Sequence, residues 1–470
     1  MAEGRSIVII GAGPGGYVAA IRAAQLGGRV TLIEAQEVGG TCLNQGCIPS
    51  KALIYDVEVM DLIRRAAEFG IEIQGEPRFN PERMIERKRK VVETQVRGIH
   101  SLLKSWGVRY MKGRGRLLDG RTVAVAGPDG TEERLSAGRI ILATGSIPIK
   151  PDLFPFDGEK IITSEEALML KSIPARLLII GAGVEGCEFA FLYRGLGSDV
   201  TLVEMKPRAL HTEDEEISAM VEREMNKRAI KLHAGVRVEK VERRGPELVA
   251  VLSDGREIAS DQILVSIGRR MSTDGLGLDR AGVSVGARGE VIVNERMETN
   301  TPGIYAIGDL VARMMLAHVA SAEGKIAAHN AVGAGDPKAM DYRVVPAGIF
   351  TQPEIGTVGL KDWEAAKQGL KIKVGRFLFR ALGRAHTLGE ITGVIKVITD
   401  AATRQILGVH IIGPHASDLI HEAALAMRLG ATSEDLAHLI HAHPTLMEGI
   451  MEAAEDVRGM SIHTLKKPGA

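Results

Sequence analysis

Two cysteines set five positions apart, Cys42 and Cys47, lie in the stretch "GGTCLNQGCIPSK" (39 to 51), and only one other, Cys187, occurs in 470 residues. Such sparse use of cysteine fits a reducing compartment, where a close pair serves catalysis or redox sensing more often than structural bridging. A C-x4-C pair can bind a metal, pack as inert thiols, or cycle between dithiol and disulfide. A structural zinc site wants four ligands, and no second cysteine pair exists to complete one, so no metal is expected. The flanking glycines and "IPSK", close behind a nucleotide-binding pattern, favour the redox couple over inert thiols. Cys187 has no neighbour to pair with in sequence and reads as a small packed apolar residue.

Dithiol exchange proceeds through a thiolate, so such an enzyme needs a base near neutral pKa to take and return a proton. Of 13 histidines, the most suggestive lie in "HAHPTLME". Pro444 suits the first turn of a helix, which leaves His443 at its mouth. Glu448, about one turn on, is placed to hold one ring nitrogen protonated and leave the other free as a base. Two other readings stay open: His443 as a helix cap, and His441 with His443 as an H-x-H metal pair.

The elements that must position these groups come from an internal repeat. "IVIIGAGPGGYVAAIRAAQLGGRVTLIE" (7 to 34) aligns without a gap with "LLIIGAGVEGCEFAFLYRGLGSDVTLVE" (177 to 204). Each copy is a buried strand, a G-x-G-x-x-G turn, an alanine-rich or apolar helix and a second strand ending in an acid. The glycines are Gly11, Gly13 and Gly16 in the first copy and Gly181, Gly183 and Gly186 in the second. In such a turn the first glycine makes the bend, the second admits a diphosphate to the backbone, and the third packs helix on strand. Glu34 and Glu204 stand where a carboxylate accepts hydrogen bonds from an adenosine ribose and repels a 2′-phosphate, which favours NAD over NADP at the second copy. Two dinucleotide sites in one chain imply two cofactors exchanging electrons.

"RIILATGS" (139 to 146) and "QILVSIGRR" (262 to 270) read as strands closing each nucleotide unit. "NTPGIYAIGDL" (300 to 310) delivers Asp309 after Gly308, either to a cofactor sugar or as a helix cap. From about 346 two strands in "GVIKVITDAATRQILGVHIIG" and two helical stretches follow, predicting a third, α+β domain. The charged segment 83 to 107 reads as a long amphipathic helix with a solvated face. Lys plus Arg and Asp plus Glu both total 59, so no net field favours nucleic acid or an anionic membrane. No apolar run reaches signal-peptide or membrane-spanning length, and a cytoplasmic protein is expected.

The ordered set "GAGPGG", "GGTCLNQGCIPSK", "ATGS", "GAGVEGCE", "YAIGD" and "HAHPTLME" resembles the flavin-dependent pyridine nucleotide-disulfide oxidoreductases over essentially the whole chain. The likeness is greatest to members that oxidise protein-bound dihydrolipoyl groups to lipoyl disulfide with NAD⁺. The resemblance implies an α/β fold of two Rossmann-like domains plus a C-terminal α+β dimerisation domain. FAD would lie on residues 1–150 and 271–345, NAD on 151–270, and the interface on 346–470. FAD would be held by Gly11, Gly13, Gly16, Glu34, Thr41, Gly115, Thr144, Gly145, Asp309 and Ala317, with Lys51 beside its ring. NAD would lie on Gly181, Gly183, Gly186, Glu204, Val238 and Gly268, while Glu188 matches the acid that pairs with the flavin-side lysine. A disulfide between Cys42 and Cys47 would exchange with substrate at Cys42 and face the flavin at Cys47.

His443 and Glu448 match the family's acid-base dyad, supplied by the other subunit, so the resemblance implies a homodimer. Its partner would be a lipoylated acyltransferase of 2-oxo-acid dehydrogenase complexes or the lipoyl protein of glycine cleavage. Two positions depart from the pattern. Glu185 replaces an apolar residue in the second glycine turn, where it either weakens cofactor binding or points to solvent, and Val319 stands where a lysine is common. The competing functions are an NAD(P)H-dependent reductase of another disulfide, or a redox sensor that does not turn over.

Overall fold

Both repeats fold as the same parallel strand-turn-helix-strand frame, and each anchors one of two compact units in the computed structural model, which describes residues 6–169 and 173–465. The first unit gathers the described residues up to 151, 162–169 and 267–341; the second gathers 152–161, 173–266 and 342–465.

In the first unit the strands run Ile304–Ala306, Arg139–Leu142, Ser6–Ile10, Arg29–Glu34 and Arg109–Lys112 across one sheet. All pair in parallel, with Ile7 beside Val30 and Ile9 beside both Leu32 and Ile141. Continuous apolar runs rather than alternation are what a parallel sheet covered on both faces requires. Helix Pro14–Gln25 covers one face; Gly16 lets it approach, because a Cβ there would stand 1.9 Å from the Gly11 carbonyl oxygen. A three-stranded antiparallel sheet, Arg114–Leu117, Thr122–Ala126 and Glu132–Ser136, completes the frame. The charged helix runs Pro81–Ser105, capped by the Asn80 side chain on the Arg83 N–H.

The second unit repeats the scheme in the order Lys231–Ala234, Asp199–Glu204, Arg176–Ile180, Gln262–Val265, again parallel. The glycine constraint recurs: a Cβ at Gly186 would lie 1.9 Å from the Gly181 carbonyl oxygen. From Ala347 onward a five-stranded antiparallel sheet has Ile355–Gly359, Ile406–Ile412, Val394–Asp400 and Ile372–Leu378 as successive neighbours. Helices Ala416–Arg428 and Glu448–Asp456 pack their apolar stripes on it, Ile420 and Ile450 joining Ile395, Val409 and Ile411 in one core. Among the described residues no helix is long and apolar enough to cross a membrane.

One lysine breaks the apolar pattern of this core. Lys396, in the middle of strand Val394–Asp400, is 2% exposed, and its ammonium meets Asp214 at 2.8 Å and Asp362 at 2.7 Å. Asp214 itself caps helix Glu215–Lys227 through the Glu216 N–H, and Arg376 bonds Glu216 at 2.7 Å. The cluster joins helix Glu215–Lys227, which follows the parallel sheet's strand Asp199–Glu204, to the C-terminal sheet by charge. Burial opposes the ionised Asp214 carboxyl, but the Lys396 hydrogen bond and charge outweigh it and hold the group below its usual range.

Removing one partner from such a buried pair leaves the other charge uncompensated, at about 3–5 kcal/mol. Lys396→Met should therefore lower the urea midpoint of this unit, and adding Asp214→Asn, which keeps a capping side chain, should recover part of the loss. A carboxyl whose folded value is depressed stabilises above its unfolded value, near 3.8, and loses that contribution as pH falls through the lower folded value. The midpoint gap between wild type and Asp214→Asn should thus be full above about pH 5 and close at more acid pH; a gap independent of pH would contradict the role of charge.

Candidate active site

The two glycine turns are superposable in their conformation, Gly11 and Gly181 both standing at φ 102° where only glycine is unstrained. Glu34 accepts the Ala12 and Gln36 N–H groups at 2.7 Å each, and Glu204 accepts Ala182 and Lys206 at 2.7 and 2.8 Å. Each acid therefore braces the glycine turn from the end of the neighbouring strand, a role that spacing alone does not reveal. Above the turns there is room for a ligand: a Cβ added at Gly183 or Gly145 would meet nothing within 4 Å. With the first-turn N–H groups of helices Pro14–Gln25 and Val184–Gly195, this is the surface a dinucleotide diphosphate needs.

The cysteine segment is docked directly on the first of these turns. Gly39 and Gly40 both take positive φ, the Gly39 N–H donates to the Ala12 carbonyl at 2.8 Å, and a Cβ at Gly40 would lie 2.6 Å from the Gly13 Cα. That approach explains the two glycines ahead of the pair. Thr41 and Cys42 sit in the short helix Gly40–Gln45, and Cys47 opens helix Cys47–Arg64. Lys51 follows one turn later on the same face. Both cysteines are thiols here, Cys42 half-buried and Cys47 exposed. The hydrogen bond with Cys47 and then burial push the Cys42 thiol up, while the Lys51 charge pulls it down. The Cys42 thiol is thus hydrogen-bonded to Cys47 next to a cation, both in the reduced form.

Within the same unit, Asp309 lies in the turn Gly308–Val311 and takes the Ser146 hydroxyl at 2.5 Å. Arg269 bonds that hydroxyl at 2.8 Å and the Ser146 carbonyl at 2.9 Å. Asp309 is not a helix cap: Ile307 and Leu316 occupy the cap positions of its own turn and of helix Ala317–Val332. Thr144 donates to the Ser272 carbonyl at 2.8 Å, Gly145 and Gly268 take φ 70° and 115°, and Gly115 packs on Ile10. Ala317 opens its helix; Val319 is buried in it, and buried Glu323 accepts the Gly308 N–H at 2.6 Å. Ser146, Arg269 and Glu323 are contributions that the sequence reading missed; "ATGS" and "GRR" held the first two, and nothing marked the third.

In the second unit, Glu188 is buried and accepts the Phe350 N–H at 2.9 Å. Cys187 is fully buried, its thiol turned to the Ala182 carbonyl and pushed up by burial, as a packed residue would be. Val238 is buried at the start of strand Val238–Arg244. Glu185 does not simply face solvent: its carboxylate accepts the Ser266 hydroxyl at 2.8 Å.

His443 and Glu448 meet, Nδ1 to Oε2, at 2.8 Å. The second carboxylate oxygen takes the Thr445 N–H at 2.6 Å. Burial opposes the charge on Glu448, but His443 and Thr445 outweigh it and hold the carboxyl below its usual value. The imidazole is 76% exposed. Pro444 does not open a helix as the sequence suggests: the His443–Pro444 peptide is cis and the helix begins at Glu448, whose side chain already satisfies Thr445. His441 is buried against Glu422, at 3.0 Å, so the two histidines face different surroundings. Among the described residues no cluster could hold a metal. The same stretch leaves Ile440 94% exposed, and Leu425, on helix Ala416–Arg428, and Leu429, just after it, stand exposed.

Comparison with known proteins agrees with this geometry. The description "Pyridine nucleotide-disulphide oxidoreductase" matches residues 5–324, and that family's dimerisation domain matches 345–454. A dihydrolipoyl dehydrogenase of Thermus scotoductus is 44% identical over 467 residues, covering 98% of this chain and 99% of its own. A crystal structure of LpdA from Mycobacterium tuberculosis superposes with a TM-score of 0.90 at 30% identity, covering 96% of this chain and 99% of that one. The HOCl-induced flavoprotein disulfide reductase RclA of Escherichia coli gives 0.85 at 26% identity, with 96% and 99% covered.

The three thiols should differ in reactivity. After mild reduction, iodoacetamide should label Cys42 and Cys47 in the native protein and reach Cys187 only on unfolding; after mild oxidation, peptide mapping should show Cys42 joined to Cys47. Native labelling of Cys187 would contradict its burial.

Proposed function

The chain belongs to the pyridine nucleotide-disulphide oxidoreductases, and from that premise we infer how its residues divide the reaction. It is a flavoprotein that uses FAD and NAD and acts as a dihydrolipoyl dehydrogenase, oxidising dihydrolipoyl groups to lipoyl disulfide with NAD⁺ as acceptor. FAD supplies a two-electron relay from thiolate to nicotinamide. The observation that carries the assignment of residues is the docking of the cysteine segment on the first glycine turn, through Gly40 on Gly13.

That turn, with Gly11, Gly13, Gly16, Glu34, Thr41, Gly115, Thr144, Gly145, Asp309 and Ala317, would hold FAD, with Lys51 on its flavin side. Gly181, Gly183, Gly186, Glu204, Val238 and Gly268 would hold NAD, and Glu188 would pair with the flavin-side lysine. His443, oriented by Glu448, takes a proton from a substrate thiol. The thiolate attacks Cys42, the Cys42–Cys47 bond breaks, and Cys47 leaves as thiolate. His443 passes that proton to solvent and takes the proton of the second substrate thiol, which attacks the substrate sulfur of the mixed disulfide; Cys42 leaves as thiolate and is reprotonated by His443. Lipoyl disulfide departs, and Cys47 retains the electron pair for onward transfer.

The matched dimerisation domain and the exposed Ile440, Leu425 and Leu429 support a homodimer, in which the dyad of one protomer serves the cysteines of the other. The natural substrate is a lipoyl group carried by an acyltransferase of a 2-oxo-acid dehydrogenase complex or by the glycine cleavage lipoyl protein. Its setting is the cytoplasm, where sparse, free cysteines persist.

NADH formation from dihydrolipoamide and NAD⁺ should be fast, and slow with NADP⁺. Cys42→Ser should abolish it while FAD stays bound, and His443→Gln should lower kcat by roughly 10²–10⁴-fold. Full activity in either variant would overturn the assignment of that residue.

A further inference from the structure

Glu185 occupies the fifth position of the second glycine turn, where the first turn carries Gly15. In the first copy that position faces away from the acid-ending strand: a Cβ on Gly15 would meet the Ala320 carbonyl and Ile307 at 3.0 Å. The second copy turns the same way, and its carboxylate is bonded to Ser266 at 2.8 Å. Ser266 follows strand Gln262–Val265 directly, and its N–H donates at 2.8 Å to the carbonyl of Ile180, the residue before Gly181. The carboxylate is therefore fixed at the carboxyl edge of the sheet, between the strands Arg176–Ile180 and Gln262–Val265.

Strand order gives this place a meaning. The sheet runs Lys231–Ala234, Asp199–Glu204, Arg176–Ile180, Gln262–Val265, so its topological switch lies at Arg176–Ile180. Ligands of such sheets bind outside the carboxyl ends of the strands, across that switch. Glu204 marks the adenosine side. Glu185 and Ser266 mark the opposite side, over which the nicotinamide half must pass. The oxidised nicotinamide ring is a cation and the reduced ring is neutral, so a fixed carboxylate on this side attracts one and not the other.

We propose that Glu185, held by Ser266, is a specificity-determining residue that makes the NAD site prefer the oxidised over the reduced nucleotide. The proposal rests on the assignment of the second glycine turn to NAD. The same charge that recruits NAD⁺ ceases to hold the ring once hydride has arrived, which speeds loss of the product.

The test is equilibrium binding to the oxidised holoenzyme, by calorimetry, of three nucleotides: NAD⁺, the neutral-ring analogue 1,4,5,6-tetrahydro-NAD, which cannot give up hydride, and ADP-ribose, which lacks the ring. Glu185→Gln should weaken NAD⁺ by about three- to tenfold relative to the tetrahydro analogue and leave ADP-ribose unchanged; Ser266→Ala should shift the same ratio less. If all three nucleotides tighten together, Glu185 acts only by repelling the diphosphate, and if none moves it acts only on the fold; either result overturns the proposal. Glu204→Ala is the control for the underlying reading: should it leave all three affinities unaltered, the second turn is not the NAD site, and that failure is separate from a lost ring-charge preference at a working site.

Discussion

The contact between two glycine backbones, Gly13 and Gly40, is the constraint on which the redox chemistry depends. A nucleotide turn and a cysteine segment can share one ligand only if nothing wider than a hydrogen atom lies between them. The left-handed conformations at Gly39 and Gly40 bend the chain into that contact, and the Gly39 N–H to Ala12 carbonyl bond fixes it. The thiol pair then follows from covalent continuity: Cys42 and Cys47 are delivered beside the place where the first turn exposes its N–H groups. Lys51 arrives on the same helix, one turn behind Cys47, and its charge pulls the Cys42 thiol of the preceding short helix down.

The sequence made some of this legible because the information was local. Each glycine turn, the cysteine pair, and the His443–Glu448 spacing are short-range patterns whose chemistry is bound to a few adjacent residues. What stayed hidden depends on residues far apart in the chain. Lys396 sits in "VIKVITD", a lone charge on an otherwise apolar strand; its partners, Asp214 and Asp362, lie 182 and 34 positions away. Ser146, Arg269 and Asp309 meet in the same manner, and the cap reading of Asp309 failed because no local signal tells a capping aspartate from one aimed at a distant hydroxyl. Pro444 misled for the opposite reason: proline does favour helix starts, but Glu448 reaches back to Thr445 and begins the helix later.

Comparing the two repeats shows how one scaffold acquires two tasks. The turns share φ at Gly11 and Gly181, the same forbidden Cβ at Gly16 and Gly186, and the same bracing by a terminal acid. They differ at the two positions between the second and third glycines. The first copy has Pro14 and Gly15, small enough for the helix Ala317–Val332 to pack across them, with the Ala320 carbonyl at contact distance of a Cβ on Gly15. The second has Val184 and Glu185, leaving an open face with a polar floor. The backbone geometry of the turn is shared, and the two intervening side chains make the surfaces of the two copies different.

The Lys396 cluster also bears on how this chain can be recombined with its relatives. By alignment the protein divides cleanly near residue 345, between a nucleotide-binding portion and a dimerisation portion. Energetically no seam exists there, because the Lys396 ammonium on one side is buried against the Asp214 carboxylate on the other. A chimera spliced at that boundary would inherit half of an ion cluster, and a carboxylate meant to cap a helix would be stranded without its counter-charge. Modular exchange in this architecture therefore has to treat Asp214, Asp362 and Lys396 as one heritable unit, however far apart the alignment places them.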